Sequence, residues 1–586
     1  MTLTMNKILK LVAFSALPLL SVSSCTNLDE EVFDQIMQNN YYQTRDDIIR
    51  AYVRPFEHSY WSITTLIIPQ ENTADHIATY NRNGDWLDGQ YYQRMHYHTW
   101  TIDDNDNPWV GAFQGIAQCC SVIDDFNTLN PEDFGYTRTE FDAFICGLRT
   151  LRAWLYLNAF DAYRNIPLMV SRDDQSLNSE GQVEPQVMFD FLESELKECI
   201  TLLPTKQGSG GNGMQQGEWN KAGAAALLAR LYLNAEKYVG TAKYSECASV
   251  CQDILDGKYG SYSVASRWDA PFDWNNDQCE EIIYAFTGSY GYAHWQYDSG
   301  MYWWGMPGRA VDYLGFKDWG TSNPKFALQP SMEIDGTHFN YELGCPVDKF
   351  KKYPTDYRLK CYKNLPGQSQ REGMFLYGYL EYTDDNGEVK RVTNVKGDYI
   401  LYIRDKVGIF DGTDPADDAS ILARDGKSNM NNGDHNSGWH LMKYPFYRDR
   451  DPGAIESDFA LIRLPEIIYT LAECKFRAGD KNGAGELLNK VRRRNYPEED
   501  VAQYLYQPEG PVELTEAELL DEWGREFIGE LRRRTDLIRW NKYCQGKWWD
   551  KEPDSDTHTE IFPLHRNILG ANLNLKQNPG YEDIER

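Results

Sequence analysis

The stretch Glu218-Trp-Asn-Lys-Ala-Gly-Ala-Ala-Ala-Leu-Leu-Ala-Arg-Leu-Tyr-Leu-Asn-Ala-Glu-Lys-Tyr238 decides the fold. Ala222, Ala225, Ala226 and Ala229 fall on one stripe at helical spacing, and small side chains there let a second helix approach closely. Tyr244 to Leu255 supplies that helix as an antiparallel mate. Upstream, Phe141–Tyr163 carries Phe144, Leu148, Leu151, Leu155 and Ala159 at three-and-four spacing, and Val187–Leu203 is a further amphipathic run stopped by Pro204. Downstream the pattern returns: Leu461 to Asp480, a short Lys-Asn-Gly break, then Ala484 to Arg494.

Helix, tight turn, helix, with Ala and Leu at the contacts, is the grammar of tetratricopeptide-type hairpins, here interrupted rather than arrayed regularly. From about Ser261 to Ser457 the helical period largely disappears. That segment is rich in Gly, Asp, Asn, Pro and aromatics, too aromatic for a disordered linker. Phe375 to Tyr382 and Val389 to Val395 are strand candidates, joined through the turn signal Asp384-Asp-Asn-Gly387.

The chain starts with Lys7 and Lys10, an apolar run Leu11–Leu20 and the small residues Ser21-Val-Ser-Ser24 before Cys25. The run is too short to span a bilayer and reads as a signal peptide over residues 1–24, leaving Cys25 first in the mature chain. That arrangement resembles the lipobox of bacterial lipoproteins, where the thiol is lipidated, and the acidic residues that follow resemble the export tag of surface lipoproteins in Bacteroidetes. The net charge of -29 argues against nucleic acid and against a basic membrane-binding patch. Eleven cysteines besides Cys25 are scattered, with neither a disulfide framework nor zinc spacing.

Further blocks carry a resemblance to a known family. They are Trp109-Val-Gly-Ala-Phe-Gln-Gly-Ile, Leu151-Arg-Ala-Trp-Leu-Tyr with Ile166-Pro-Leu, and Ile462-Arg-Leu-Pro-Glu-Ile-Ile-Tyr. To these add Arg525-Glu-Phe-Ile-Gly-Glu-Leu-Arg-Arg-Arg-Thr-Asp-Leu-Ile-Arg-Trp540, Phe562-Pro-Leu and Gln577-Asn-Pro-Gly-Tyr581. Together with the lipobox-like start they resemble the SusD/RagB family of outer-membrane nutrient-binding lipoproteins. Tyr163-Arg-Asn-Ile departs from it where a Gly is usual. The resemblance implies a mainly α fold of about four tetratricopeptide-like hairpins, with a large irregular insertion containing short β-hairpins. It divides the mature chain, residues 25–586, into an N-terminal helical part to 260, an insertion over 261–457 and a C-terminal part over 458–586. It also implies a non-catalytic, lipid-anchored protein on the outer face of the outer membrane, delivering a captured ligand to a SusC-like TonB-dependent transporter.

Ten aromatics stand between Tyr290 and Trp319, among them Trp295, Tyr297, Trp303, Trp304 and Trp319. Rings on a glycine-rich loop suit the apolar C–H face of a sugar while polar neighbours take its hydroxyls. A second aromatic stretch, Tyr80 to Trp100, mixes rings with polar groups at the place where the resemblance puts an N-terminal ligand loop. The stacking candidates are therefore Trp86, Trp295, Tyr297, Trp303, Trp304 and Trp319, and the polar candidates Asn81, Arg82, Asp85 and Asp298. The competing reading of the rings is that they fill a small irregular core.

Other signals are weak. Gly208–Gly213 fits G-x-G-x-x-G but follows a helix, and Gly426-Lys-Ser428 lacks the preceding glycine of a phosphate loop. Asp103–Asn107 clusters oxygens of the kind calcium uses, with an acidic helix entry as the simpler account. Arg492–Arg494 and Arg532–Arg534 are expected to line helix ends and meet the acidic surface. No other cofactor is signalled, and no recognisable catalytic block accompanies the carboxylates a glycoside hydrolase would need. Oligosaccharide capture is the expected function, with peptide binding as the alternative within the same family.

Overall fold

The computed structural model describes residues 41–104, 107–172, 181–206, 216–289, 305–315, 326–363, 373–445 and 457–585. Ile49–Arg586 forms one compact unit, apart from the residues before it. Helix α1 is Arg45–Ile67. The helical line then runs α2 (Asn107–Thr128), α3 (Arg138–Tyr163), α4 (Pro185–Leu202), α5 (Lys221–Leu233), α6 (Tyr244–Leu255), α7 (Leu464–Arg477) and α8 (Lys481–Arg492). Each of α2 to α8 packs on the next. The protein is mainly α and built of tetratricopeptide-type hairpins, as expected. The contact of α6 with α7 joins helices separated by the whole irregular segment, so the stack resumes after the excursion as if uninterrupted.

Local chemistry sets the ends. Thr137 caps α3 reciprocally: its hydroxyl accepts from Glu140 N at 3.2 Å while the Glu140 carboxylate accepts from Thr137 N at 2.7 Å. Asn220 and Asp480 cap α5 and α8 by accepting from Gly223 N and Gly483 N at 3.0 and 2.8 Å. The alanine stripe of α5 is fully buried, which is the close approach the small side chains permit.

Boundaries differ in three places. The helix expected over Glu218–Tyr238 breaks at Asn234, with a separate short helix over Ala235–Val239. Leu461–Arg463 belong to a strand that pairs with Ile282–Phe286, because the partner strand lies far off in sequence and overrides a helical-looking period. The hairpin at Asp384–Gly387 forms, but only between Glu381–Thr383 and Val389–Arg391. Phe375–Leu376 pairs instead with His440–Leu441.

The arginine clusters are corrected more deeply. Arg492, Arg533 and Arg534 are buried, and they meet Glu522, Asp75 and Asp161. Arg463 reaches Glu281, Glu526 and Glu530 at 3.2, 2.6 and 2.8 Å. Arg533 and Arg534 lie on α10 (Arg533–Arg539), and Glu522 and Glu526 on α9 (Glu516–Phe527). Burying an arginine is costly unless a carboxylate satisfies its fork, and each of these arginines has one.

Candidate functional site

The irregular segment folds as a patchwork of short strands, and three of them set the site together with Ile77–Ala78 from the N-terminal part. Ile77–Ala78 pairs with Ala327–Leu328, Leu328 N donates to Trp439 O at 2.7 Å, and Leu441 pairs with Phe375. This brings the loop after Thr79 against the loop over Met430–Gly438, and Asn81 N donates to Met430 O at 2.9 Å. Gly438, with φ of 74°, lies so close to Tyr80 and Leu328 that only a glycine fits.

The loop turns between Arg82 and Trp86. Arg82 N donates to Trp86 O at 2.8 Å and Asp85 N to Arg82 O at 2.7 Å. Asn83 and Gly84, with φ of 27° and 88°, take the left-handed corner. The four candidates described here, Asn81, Arg82, Asp85 and Trp86, are thus brought together. Their roles differ. Asn81 is buried and braces the loop, its amide donating to Asn431 Oδ1 at 2.9 Å and its oxygen accepting from Asp88 N at 2.7 Å. Arg82 is buried beneath the turn and donates to Tyr80 O, and burial lowers its pKa to about 10. Asp85 is held by Lys396 and by His435, whose Nε2 lies 2.9 Å from Asp85 Oδ2. Burial drops the His435 pKa to about 4, so this ring is neutral at pH 7 and its contact with Asp85 is a hydrogen bond.

Trp86 is half-buried at the turn and leans on Tyr92, ring centroids 6.0 Å apart. Tyr92 in turn meets Tyr91 edge-on at 5.1 Å and Phe326 at 6.2 Å. Trp86, Tyr91 and Tyr92 are each partly exposed while Phe326 is buried beneath Tyr92's edge contact, and Asp85 and Leu87, the latter 69% exposed, flank Trp86 in the chain. Trp100, from the same stretch, is core: it is 5% exposed and donates to the Tyr581 hydroxyl at 2.8 Å. Trp295, Tyr297, Asp298, Trp303, Trp304 and Trp319 lie outside the described residues, as do Cys25 and Gly208–Gly213. Of the calcium-like cluster, Asp103 pairs with Arg566 and Asp104 with Arg94, at 2.6 Å each, and residues 105 and 106 lie outside the described residues. Among the described residues no group of three or more His, Cys, Asp or Glu is placed to hold a metal ion. No described helix is long and apolar enough to cross a membrane.

Sequence reasoning missed Lys396, Tyr399, Arg404, Asp434, His435 and Asn436, which surround the Asp85 turn from the far side. The run Asn432–His440 is polar yet buried throughout. Its one sequence signal is a dense Asn-Gly-Asp-His-Asn-Ser-Gly composition, which reads equally well as an exposed loop.

Comparison with known proteins follows the same lines. Residues 413–581 match the SusD family model. The chain is 23% identical over 520 residues to the starch-binding protein SusD of Bacteroides thetaiotaomicron, covering 85% of this chain and 82% of that protein. Among solved structures it is similar to B. fragilis NanU, with a TM-score of 0.62 at 16% identity over 93% of this chain and 98% of that one. It is also similar to surface glycan-binding protein A from Bacteroides fluxus, with a TM-score of 0.61 at 15% identity over 92% and 99%. The C-terminal match, the relative spanning most of the chain and the shared helical-hairpin fold make this chain similar to members of the SusD/RagB family.

Proposed function

We propose that this protein is a non-catalytic surface lipoprotein that captures oligosaccharides and hands them to a SusC-like TonB-dependent transporter in the outer membrane. The observation that carries the reading is the Trp86–Tyr92–Tyr91 ring surface beside the fixed Asp85 carboxylate. A stacked sugar needs an apolar face next to hydrogen-bonding groups, and the loops supply both within one turn. About 100 Å² of sugar face covered by one ring gives at most about 2.5 kcal/mol at about 25 cal/mol per Å², which suits a protein that must also release its cargo. The names of the similar relatives, one starch-binding and one glycan-binding, favour a sugar over a peptide. The aromatic loop with Trp295, Tyr297, Asp298, Trp303, Trp304 and Trp319 completes the platform in this proposal. Residues 1–24 are its signal peptide and Cys25 its lipid anchor; the mature chain is one domain whose insertion over 261–457 carries the ligand site. A glycan array probed with the soluble chain lacking residues 1–25 tests the reading: binding to a defined oligosaccharide class supports it, and binding confined to peptides overturns it.

A further inference from the structure

Building on the glycan reading, we propose that Arg404 is the seat of an anionic substituent, a carboxylate or sulfate ester, on the captured sugar. Arg404 is 6% exposed, and among the described residues its Nε, Nη1 and Nη2 have no hydrogen-bond partner. The buried arginines of the C-terminal part behave differently: Arg463, Arg492, Arg525, Arg533 and Arg534 each close on a carboxylate. A buried guanidinium left without a counterion is costly, so a position of this kind points to a group that arrives from outside.

The neighbouring acids are already engaged. Asp434 Oδ2 accepts from Phe410 N at 2.7 Å, and Oδ1 from Asn436 N at 2.8 Å and Ser437 Oγ at 3.2 Å. Asp418 pairs with Lys406 at 2.8 Å; Asp405 Oδ1 accepts from Ser331 N at 2.9 Å, while its Oδ2 makes no hydrogen bond among the described residues and lies 3.9 Å from Lys351 Nζ. Nor can the backbone swing to find another partner. Arg404 N donates to Asn436 O at 2.8 Å, and Ile403 exchanges hydrogen bonds with Gly378 at 2.8 and 3.0 Å.

The location ties this seat to the candidate site. Asn436 follows His435, which hydrogen-bonds Asp85 beside Trp86, and Lys396 offsets the Asp85 charge. Burial lowers the Arg404 pKa, yet a guanidinium stays charged near neutral pH, and its planar fork matches a carboxylate or sulfate at two points. Tyr399 and Tyr402 flank it within electrostatic reach. A neutral sugar leaves the charge uncompensated; an acidic one completes it.

The test uses the soluble chain with neutral, uronic-acid-bearing and sulfated oligosaccharides on an array. Calorimetry then compares the best acidic binder with its carboxyl-reduced or desulfated counterpart. The acidic form is expected to bind at least tenfold more tightly, and Arg404→Met to erase that difference while leaving the melting temperature unchanged or raised. Preference for carboxylated over sulfated probes, or the reverse, identifies the substituent. Neutral oligosaccharides binding with an affinity that Arg404→Met does not alter would overturn the proposal and leave the glycan reading standing. Failure of every oligosaccharide to bind overturns both. If Arg404→Met and Arg404→Gln both unfold the chain, Arg404 is structural and the proposal falls.

Discussion

Arg533 and Asp75, 458 residues apart in sequence, form a two-point ion pair at 2.7 and 3.0 Å with both side chains out of water. Asp75 also accepts from Gly344 N at 2.8 Å, so one carboxylate ties the N-terminal part, the irregular segment and α10 together. Burial alone would raise its pKa, but Arg533 and His76 hold it far below the usual carboxylate range. Asp75→Asn strands a buried guanidinium and is expected to cost about 3–5 kcal/mol, read as a lowered urea midpoint. An unchanged midpoint would show that water reaches the pair.

The same network sets an acid limit. Against the burial that would raise it, Arg463, Arg494 and Arg358 pull the Glu526 pKa down to about 2 from an ordinary value of 4.5. A depressed carboxylate stabilises the fold fully above the unfolded value and loses that contribution as pH falls from about 4.5 toward 2. Melting temperature is therefore expected to fall steeply over that window. A flat profile there would remove the network from the account of stability.

Glu71 works in the opposite sense. It sits in a π-helical turn, Ile68–Asn72, with Oε1 accepting from Leu531 N at 2.7 Å, and burial raises its pKa to about 8. A raised carboxyl binds a proton in the folded state that the unfolded state releases, so it destabilises increasingly from about pH 4.5 up to 8. Glu71→Gln keeps the acceptor and removes the charge. Its melting temperature should exceed that of the parent above pH 7 and match it at pH 4; a gain independent of pH would contradict this.

Gly438→Ala tests how the site loop is held. A Cβ there would lie 2.6 Å from Leu328 O and 2.7 Å from the Tyr80 hydroxyl, at a φ that L residues rarely adopt. A loss of about 1–3 kcal/mol is expected, together with weakened ligand binding as the Tyr80–Trp86 loop shifts. Normal stability and binding would mean the two loops are not rigidly joined.

Trp86→Ala separates platform from core. A half-exposed ring used for stacking should leave the melting temperature nearly unchanged and weaken oligosaccharide binding by about 2 kcal/mol, close to thirtyfold. A large fall in melting temperature would assign Trp86 to packing.

Cys25→Ala is expected to leave a folded chain that no longer partitions into detergent or membrane fractions. Membrane association that survives the change would remove Cys25 as the anchor.

The sequence by itself determined the helices. The alanine stripe of α5, the capping Thr137 and Asp480, and the three-and-four spacing of α3 are local signals, and the chain obeys them because each depends on neighbours within one or two turns. The Tyr80–Trp86 stretch was legible as a candidate from its mixture of rings and polar groups. Tertiary structure decided the rest. Asp85 finds His435 350 residues away, and within the buried run Asn432–His440 Asp434, Asn436 and Ser437 hydrogen-bond one another. Likewise the strand at Leu461–Arg463 and the burial of Arg492, Arg533 and Arg534 depend on distant partners, Ile282–Phe286, Glu522, Asp75 and Asp161. Periodicity reports which face of an element is apolar; which carboxylate will meet which guanidinium is fixed only when the chain closes on itself.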